Sequence, residues 1–355
     1  MAALPGQPAA FTETIIHPYT VKEFDLIRRY FTRATPNSLL GIGDDAALLK
    51  VSEGYELAVS SDMLVSGTHF FPDADPFLLG HKTLAVNLSD MAAMGATPRW
   101  ATLAIALSDA APVKGTPPDT RPAAGLGADE SWLEKFSAGF FSLAEQYGVE
   151  LIGGDTTRGP LNLCVTIFGE IPAGQALRRN GAQLGDEIWV SGTLGDAALA
   201  LAHLQDRINL NHAEYTACAP ALHQPQPRVA LGVELRSIAN SAIDISDGLL
   251  ADLGHILEAS KLAASINFSA LPLSPILRGH LQQPLGRQCA LSGGDDYELC
   301  FTAPVARHAE LLEIAARLKL PLTCIGKTVA GTGCVVHDAA DNPIHMETSG
   351  YEHFR

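Results

Sequence analysis

Two periods alternate along the chain. Residues 76–94 carry the helical one: Leu84, Leu88 and Met91 fall at i, i+4 and i+7, and Gly95 with Pro98 ends the helix. A second helix follows with Trp132, Phe136, Phe140, Leu143 and Tyr147 on one stripe. The strand period shows over residues 161–168, where Leu161, Leu163, Val165 and Ile167 alternate with Asn162, Cys164, Thr166 and Phe168, a half-buried strand. Residues 55–60 read as a buried strand entering Ser61-Asp62, residues 100–107 as another, and residues 149–152 as a third that Gly153-Gly154-Asp155 breaks. An amphipathic stretch around Phe24, Ile27 and Phe31 follows a polar leader over residues 1–20.

Residues 171–185 hold Pro172, Gly174, Gly181 and Gly185 with Arg178 and Arg179, and mark a domain boundary. Beyond it come strands at 187–190 and 242–245, a helix at 196–204, and a helix whose face is Leu249, Leu250, Leu253, Ile256 and Leu257. Strands and helices mix in both halves, which predicts α/β or α+β domains and excludes a helical bundle. Residues 110–129, rich in Ala, Pro and Gly with no periodic face, read as a surface loop.

Composition narrows the function classes. The 355 residues are 47% hydrophobic and 18% charged, enough apolar surface for two domains. Lys+Arg number 24 against 39 Asp+Glu, a net charge of -15, which argues against a nucleic-acid partner. No stretch reaches the ~18 apolar residues of a membrane helix. The first basic residue is Lys22, so no signal peptide is read, and six cysteines without a C-x-x-C pair predict free thiols and a cytoplasmic protein.

Asp recurs in five turns: Gly41-Ile42-Gly43-Asp44-Asp45, Ser60-Ser61-Asp62, Gly153-Gly154-Asp155, Asp244-Ile245-Ser246-Asp247-Gly248 and Gly293-Gly294-Asp295-Asp296. One such turn is ordinary turn and cap chemistry. Repetition at strand ends, where functional loops of α/β folds gather, points to a site. Asp90 adds a carboxylate inside an apolar helix, one turn beyond Asn87, where it needs a partner unless it lies on the exposed stripe. Carboxylates converging on one cleft repel unless cations lie between them. Mg²⁺ suits such a cleft, because it takes hard oxygen ligands and keeps positions for water and phosphate. No His and Cys cluster supports zinc. Residue chemistry alone therefore gives a Mg²⁺-dependent enzyme of phosphorylated substrates, and leaves a non-enzymatic Ca²⁺ binder open as the rival.

Competing motifs fail. Gly41-Ile42-Gly43-Asp44-Asp45-Ala46 fits G-x-G-x-x-A, but no strand precedes it and its two Asp would face the pyrophosphate. Gly326-Lys327-Thr328 ends like a P-loop, but Pro321 stands where that loop needs glycine. No G-x-S-x-G elbow is present. Kinase chemistry here has to run on metals and backbone amides, without a Walker lysine.

The segments GIGDDAALL (41–49), SSDMLVSGTHF (60–70), KTLAVNLSDMAAMGATP (82–98), LIGGDTTRGP (151–160), SAIDISDGL (241–249) and LSGGDDYELCF (291–301) resemble, in order, the thiamine-phosphate kinase family. That family belongs to the superfamily of aminoimidazole ribonucleotide (AIR) synthetase and selenophosphate synthetase. The resemblance implies a two-domain PurM-like α/β (α+β) fold. Residues 20–175 would form the ATP- and metal-binding domain, through which a homodimer assembles, and residues 176–355 the C-terminal α/β domain. It implies ATP-dependent phosphorylation of thiamine monophosphate to thiamine diphosphate by direct in-line transfer, with several Mg²⁺. The alternative is a related ATP-dependent ligase or cyclase acting on a phosphorylated small molecule. Asp45, Ser60, Ser61, Asp62, Asp90, Asp155, Asp244 and Asp247 match the family's Mg²⁺ positions. Gly154, Asp155, Arg179 and Ser246 match positions that hold ATP, and His69, Asp295 and Phe354 match positions that contact thiamine phosphate. No protein nucleophile is implied. Asp295 stands where the family usually has Glu, Ser61 where Thr is common, and the 110–129 loop is longer than usual.

Overall fold

The computed structural model describes residues 23–107, 130–344 and 350. The 1–20 leader, the 110–129 loop and Phe354 lie outside the described residues.

A short helix α1 (Glu23–Leu26) leads into strand β1 (Tyr55–Val65), helix α2 (Pro76–Ala93), β2 (Thr97–Leu107), helix α3 (Glu130–Tyr147), β3 (Glu150–Arg158) and β4 (Asn162–Pro172). The strands form one sheet in the order β1-β4-β2-β3, with β4 antiparallel to both neighbours and β3 parallel to β2. Leu163, Val165 and Ile167 of β4 point to its inner face and are fully buried there. Helix α2 lies against that face and is packed in turn by α3. Gly80 and Gly139 set the helix spacing: a Cβ on Gly80 would fall 2.0 Å from the Phe136 carbonyl, and one on Gly139 1.9 Å from that of Phe77.

The second half contains β5 (Glu187–Ser191), α4 (Asp196–Leu204), α5 (His212–His223), α6 (Val229–Leu235), β6 (Ser241–Asp244), α7 (Leu249–Ser260), β7 (Ala263–Asn267), α8 (Pro275–His280) and α9 (Pro284–Ser292). It continues with β8 (Leu299–Ala303), α10 (His308–Leu318), β9 (Leu322–Val329), β10 (Gly333–His337) and β11 (Pro343–Ile344). Its seven strands run in the order β11-β10-β7-β9-β5-β8-β6. Alternation splits the core between the sheet's faces. Trp189, Ala242 and Phe301 join the core that holds α2, while Ile188, Val190, Ile243 and Cys300 join a second core with α4 and α7. One apolar core thus runs from the first sheet into the second.

Three expectations are corrected. β1 is not a buried strand: Leu57, Val59 and Met63 lie on its outer face, Val59 and Met63 each 53% exposed, and the alternate positions Ala58, Ser60, Asp62 and Leu64 turn inward. Glycines 153 and 154 do not break β3, because pairing with β2 carries the strand on to Arg158 around one bulge. Near the N-terminus the buried face is Leu26, Tyr30 and Phe31, with Phe24 70% exposed, because a wider turn over Ile27–Phe31 shifts the helical phase.

Candidate active site

Helix α2 organises the site. Asp75 caps it by accepting from the amides of Phe77 (2.9 Å) and Leu78 (3.1 Å), and Pro76 takes the first helical position. One face of the helix carries Asp75, Leu78, Lys82, Val86 and Asp90 into a cavity of about 1700 Å³ between the two halves. The neighbouring polar residues bind that face to its surroundings. Asn87, fully buried, donates to the Thr83 carbonyl (3.1 Å) and accepts from the Asp62 amide (3.3 Å). Ser60 donates to Asp90, and Ser89 donates to Asp244 at 2.7 Å across the boundary between the sheets.

Asp62, Asp90 and Asp244 therefore share one wall of the cavity. Burial and the neighbouring Asp90 push the Asp62 carboxyl up to about 6 from its ordinary 3.8. Burial, with Asp90 next, raises Asp244 to about 7. Asp90 is also raised by burial, against the pull of the Ser60 hydroxyl and the positive field of Arg179. These oxygens are crowded anions, and a cation among them would relieve both burial and repulsion. Among the described residues no three His, Cys, Asp or Glu side chains stand close enough to cage an ion by themselves. A Mg²⁺ bound here would take one or two of the carboxylates and fill its octahedron with water and phosphate.

Two turns supply a further part of the lining. Asp252, in the first turn of α7, accepts with one oxygen from the amides of Ser246 (3.0 Å), Asp247 (3.0 Å) and Gly248 (3.1 Å). Burial and the neighbouring Asp247 raise it to about 7, against those three amides. Gly248 has φ +119°, and a Cβ there would meet the Ser292 carbonyl carbon at 2.7 Å, so the turn requires glycine. Asp295 sits at φ +69° and Tyr297 at φ +49°, in the left-handed region, which Asp visits more readily than an aromatic residue does. Asp295 is locked by its amide on the Ser246 carbonyl (2.9 Å), by the Tyr297 hydroxyl (3.1 Å) and by Lys82 Nζ (3.0 Å). His69 Nδ1 accepts from the Val65 amide at 3.0 Å, which puts the ring proton of the neutral form on Nε2.

Two family models match the chain: AIR synthase related protein, N-terminal domain, over residues 43–171, and its C-terminal domain over residues 183–339. The thiamine-monophosphate kinase of Escherichia coli K12 is 46% identical over 338 residues, 94% of this chain and 98% of that protein. The Haemophilus influenzae thiamine-monophosphate kinase is 40% identical over 341 residues, 94% of this chain and 98% of that protein. The chain belongs to the thiamine-monophosphate kinase family. Among solved structures, the Stenotrophomonas maltophilia thiamine-monophosphate kinase superposes with a TM-score of 0.76 at 49% identity, covering 88% of this chain and 94% of that one. "AaThiL complexed with AMPPCP and TMP" gives 0.68 at 30% identity, covering 93% and 96%. The fold is shared more widely: Escherichia coli HypE reaches 0.71 at 22% identity, covering 93% of this chain and 98% of that one.

Against this family background, the structure gathers some of the sequence-derived residues and leaves others apart. Asp62, Asp90, Asp244, Ser246, Asp247, His69 and Asp295 all line the cavity, and Ser60 reaches it through Asp90. Arg179 is exposed but close enough to Asp90 for its field to act. Asp45 lies on an exposed turn. Ser61 turns to the outer face of the first sheet, where it bonds Thr166 Oγ1 at 2.9 Å, and Gly154 and Asp155 sit on the edge strand β3. The chain pattern gave no signal for Lys82, buried on α2, or for Asp252, which reads as an ordinary first-turn acid.

Proposed function

We propose that this chain transfers the γ-phosphate of ATP to thiamine monophosphate, producing thiamine diphosphate and ADP. The observation that carries the reading is the acidic cavity wall of Asp62, Asp90 and Asp244, built from both sheets. The relatives named above supply its substrates: AMPPCP is an ATP analogue, and it lies with TMP in a family member at 30% identity. Hard oxygen donors and carboxylates held at raised pKa fit several Mg²⁺, with Ser60, Asp62, Asp90, Asp244 and Asp247 as nearest holders. Asp45, Ser61 and Asp155 complete the set implied by family position. When bound, Mg²⁺ cancels the repulsion between two phosphates. Gly154, Asp155, Arg179 and Ser246 hold the nucleotide, and His69, Asp295 and Phe354 the acceptor. The acceptor phosphate is already ionised near neutral pH, so direct in-line transfer needs neither a protein nucleophile nor a strong base.

We also assign a homodimer through the outer face of the first sheet, where Leu57, Val59 and Met63 lie exposed on the edge strand β1. Six unpaired cysteines support a reducing compartment, the cytoplasm. Among the described residues no helix is long and apolar enough to cross a membrane.

The test is purified protein with ATP, Mg²⁺ and thiamine monophosphate. The kinase reading requires one thiamine diphosphate for each ADP and no free phosphate. Acceptor-dependent release of inorganic phosphate would indicate a ligase or cyclase instead.

A further inference from the structure

We infer that Lys82 is the residue that recognises the phosphate group of the acceptor. The inference rests on the kinase reading above and adds a specificity-determining residue to it.

Lys82 lies on the cavity face of α2, eight residues before Asp90, or about 12 Å along the helix axis. Its side chain is only 6% exposed, and it ends 3.0 Å from Asp295. That carboxylate is its one ionic partner among the described residues. An ammonium has three hydrogens to donate. Burying it with one partner is costly unless a ligand takes the remainder.

The field of the cavity says which ligand. Its walls carry Asp62, Asp90, Asp244, Asp247 and Asp295, and the other Lys or Arg lining it, Arg207, is exposed. A phosphate monoester entering this space is repelled by these carboxylates, and Lys82 is the buried side chain of the lining that attracts it, Arg207 and Arg179 being exposed. Cations held by the carboxylates would set the acceptor phosphate against ATP, and an ammonium on a buried helix adds a second, fixed anchor for it. The neighbour completes the match. Thiamine monophosphate carries a thiazolium cation as well as its phosphate, and the Lys82–Asp295 pair presents the two opposite charges side by side. The ammonium cannot serve the cationic ring, so it serves the phosphate.

The experiment is calorimetric titration of thiamine monophosphate and of thiamine into wild type, K82M and K82R without nucleotide, alongside steady-state kinetics. Wild type should prefer the phosphorylated form. In K82M that preference should fall roughly 10- to 100-fold, the range of a charged hydrogen bond, with thiamine affinity unchanged. KM for thiamine monophosphate should rise while KM for ATP holds, and K82R should restore most of the preference. K82Q replaces K82M if the latter melts early. A K82M that keeps the wild-type preference, or that loses thiamine and its monophosphate equally, overturns the assignment. Wild type that binds the monophosphate without phosphorylating it defeats the kinase reading alone, and the same titrations still decide Lys82.

Discussion

Asp90 is a carboxylate that burial pushes towards protonation and that Ser60 and Arg179 draw back. Asp62 and Asp244 are raised from 3.8 to about 6 and about 7, so across that window they hold protons in the folded chain that the unfolded chain has lost. The folded state then binds more protons, and metal-free stability falls as pH climbs through the window and levels above it. Mg²⁺ needs the ionised forms, so protons compete with it. Scanning calorimetry should therefore show a small Mg²⁺-induced rise in Tm at pH 5 and a larger one at pH 8. In D90N the Mg²⁺ shift should shrink and kcat should fall about 100-fold or more, while the metal-free Tm at pH 8 holds or rises because a like charge has gone. Equal Mg²⁺ shifts at both pH values would remove these carboxylates as the ion site. Asp90 was legible because an acid in an apolar helix demands a reason, and Asp62 and Asp244 because Asp recurs in turns at strand ends. Lys82 and Asp252 were not, because a lysine in a helix and an acid in a first turn are ordinary until the fold buries one and hands the other three amides.

Helices α2, α3, α4 and α7 and strands β1 to β6 followed from the sequence pattern, α5, α6, α8 to α10 and β7 to β11 did not, and the misread elements have local causes. In β1 the run Leu57-Ala58-Val59 reads as buried because apolar residues fill both faces, yet only one face meets α2. Alternation also separates Ser61 from Ser60 and Asp62, which adjacency in sequence had grouped together. In β3 the glycines read as a stop, although sheet pairing overrides local preference. The α2–α3 contact is the element-level feature with the sharpest consequence. G139A would push α3 off α2 against backbone, costing roughly 1–3 kcal/mol as overpacking. G254A, in α7 with open space around its Cβ position, should gain about 0.5–1 kcal/mol. Thermal melts of the two variants should move in opposite directions, and a neutral G139A would mean that α2, and the cavity face it carries, is loosely held.

At the scale of the molecule, the site exists only because the two halves are fastened together. Ser89 on Asp244, the Tyr147 hydroxyl on the Pro227 carbonyl (2.9 Å) and Arg236 Nε on the Gly95 carbonyl (2.6 Å) each join them. No periodicity announces such long-range pairings, so in the sequence the convergence of the acidic turns rested on their repetition at strand ends and on family resemblance. The same scale accounts for the residues that the cavity lacks. Ser61 and the edge strand with Asp155 belong to the sheet face that also exposes Val59 and Met63. Covering this face with a second copy would bury the apolar side chains and bring those polar groups into a protected setting. V59E tests the idea without touching the cavity. Val59 is 53% exposed in the single chain, so the glutamate should leave the fold and its circular dichroism unchanged. Within a dimer it would be a buried, unpaired charge, strongly unfavourable. Light scattering should then show a monomer where wild type is a dimer, and activity should fall with dissociation, since Ser61 and Asp155 lose their cover. A dimeric, fully active V59E would move the interface to another face and leave Asp155 without a role in the reaction.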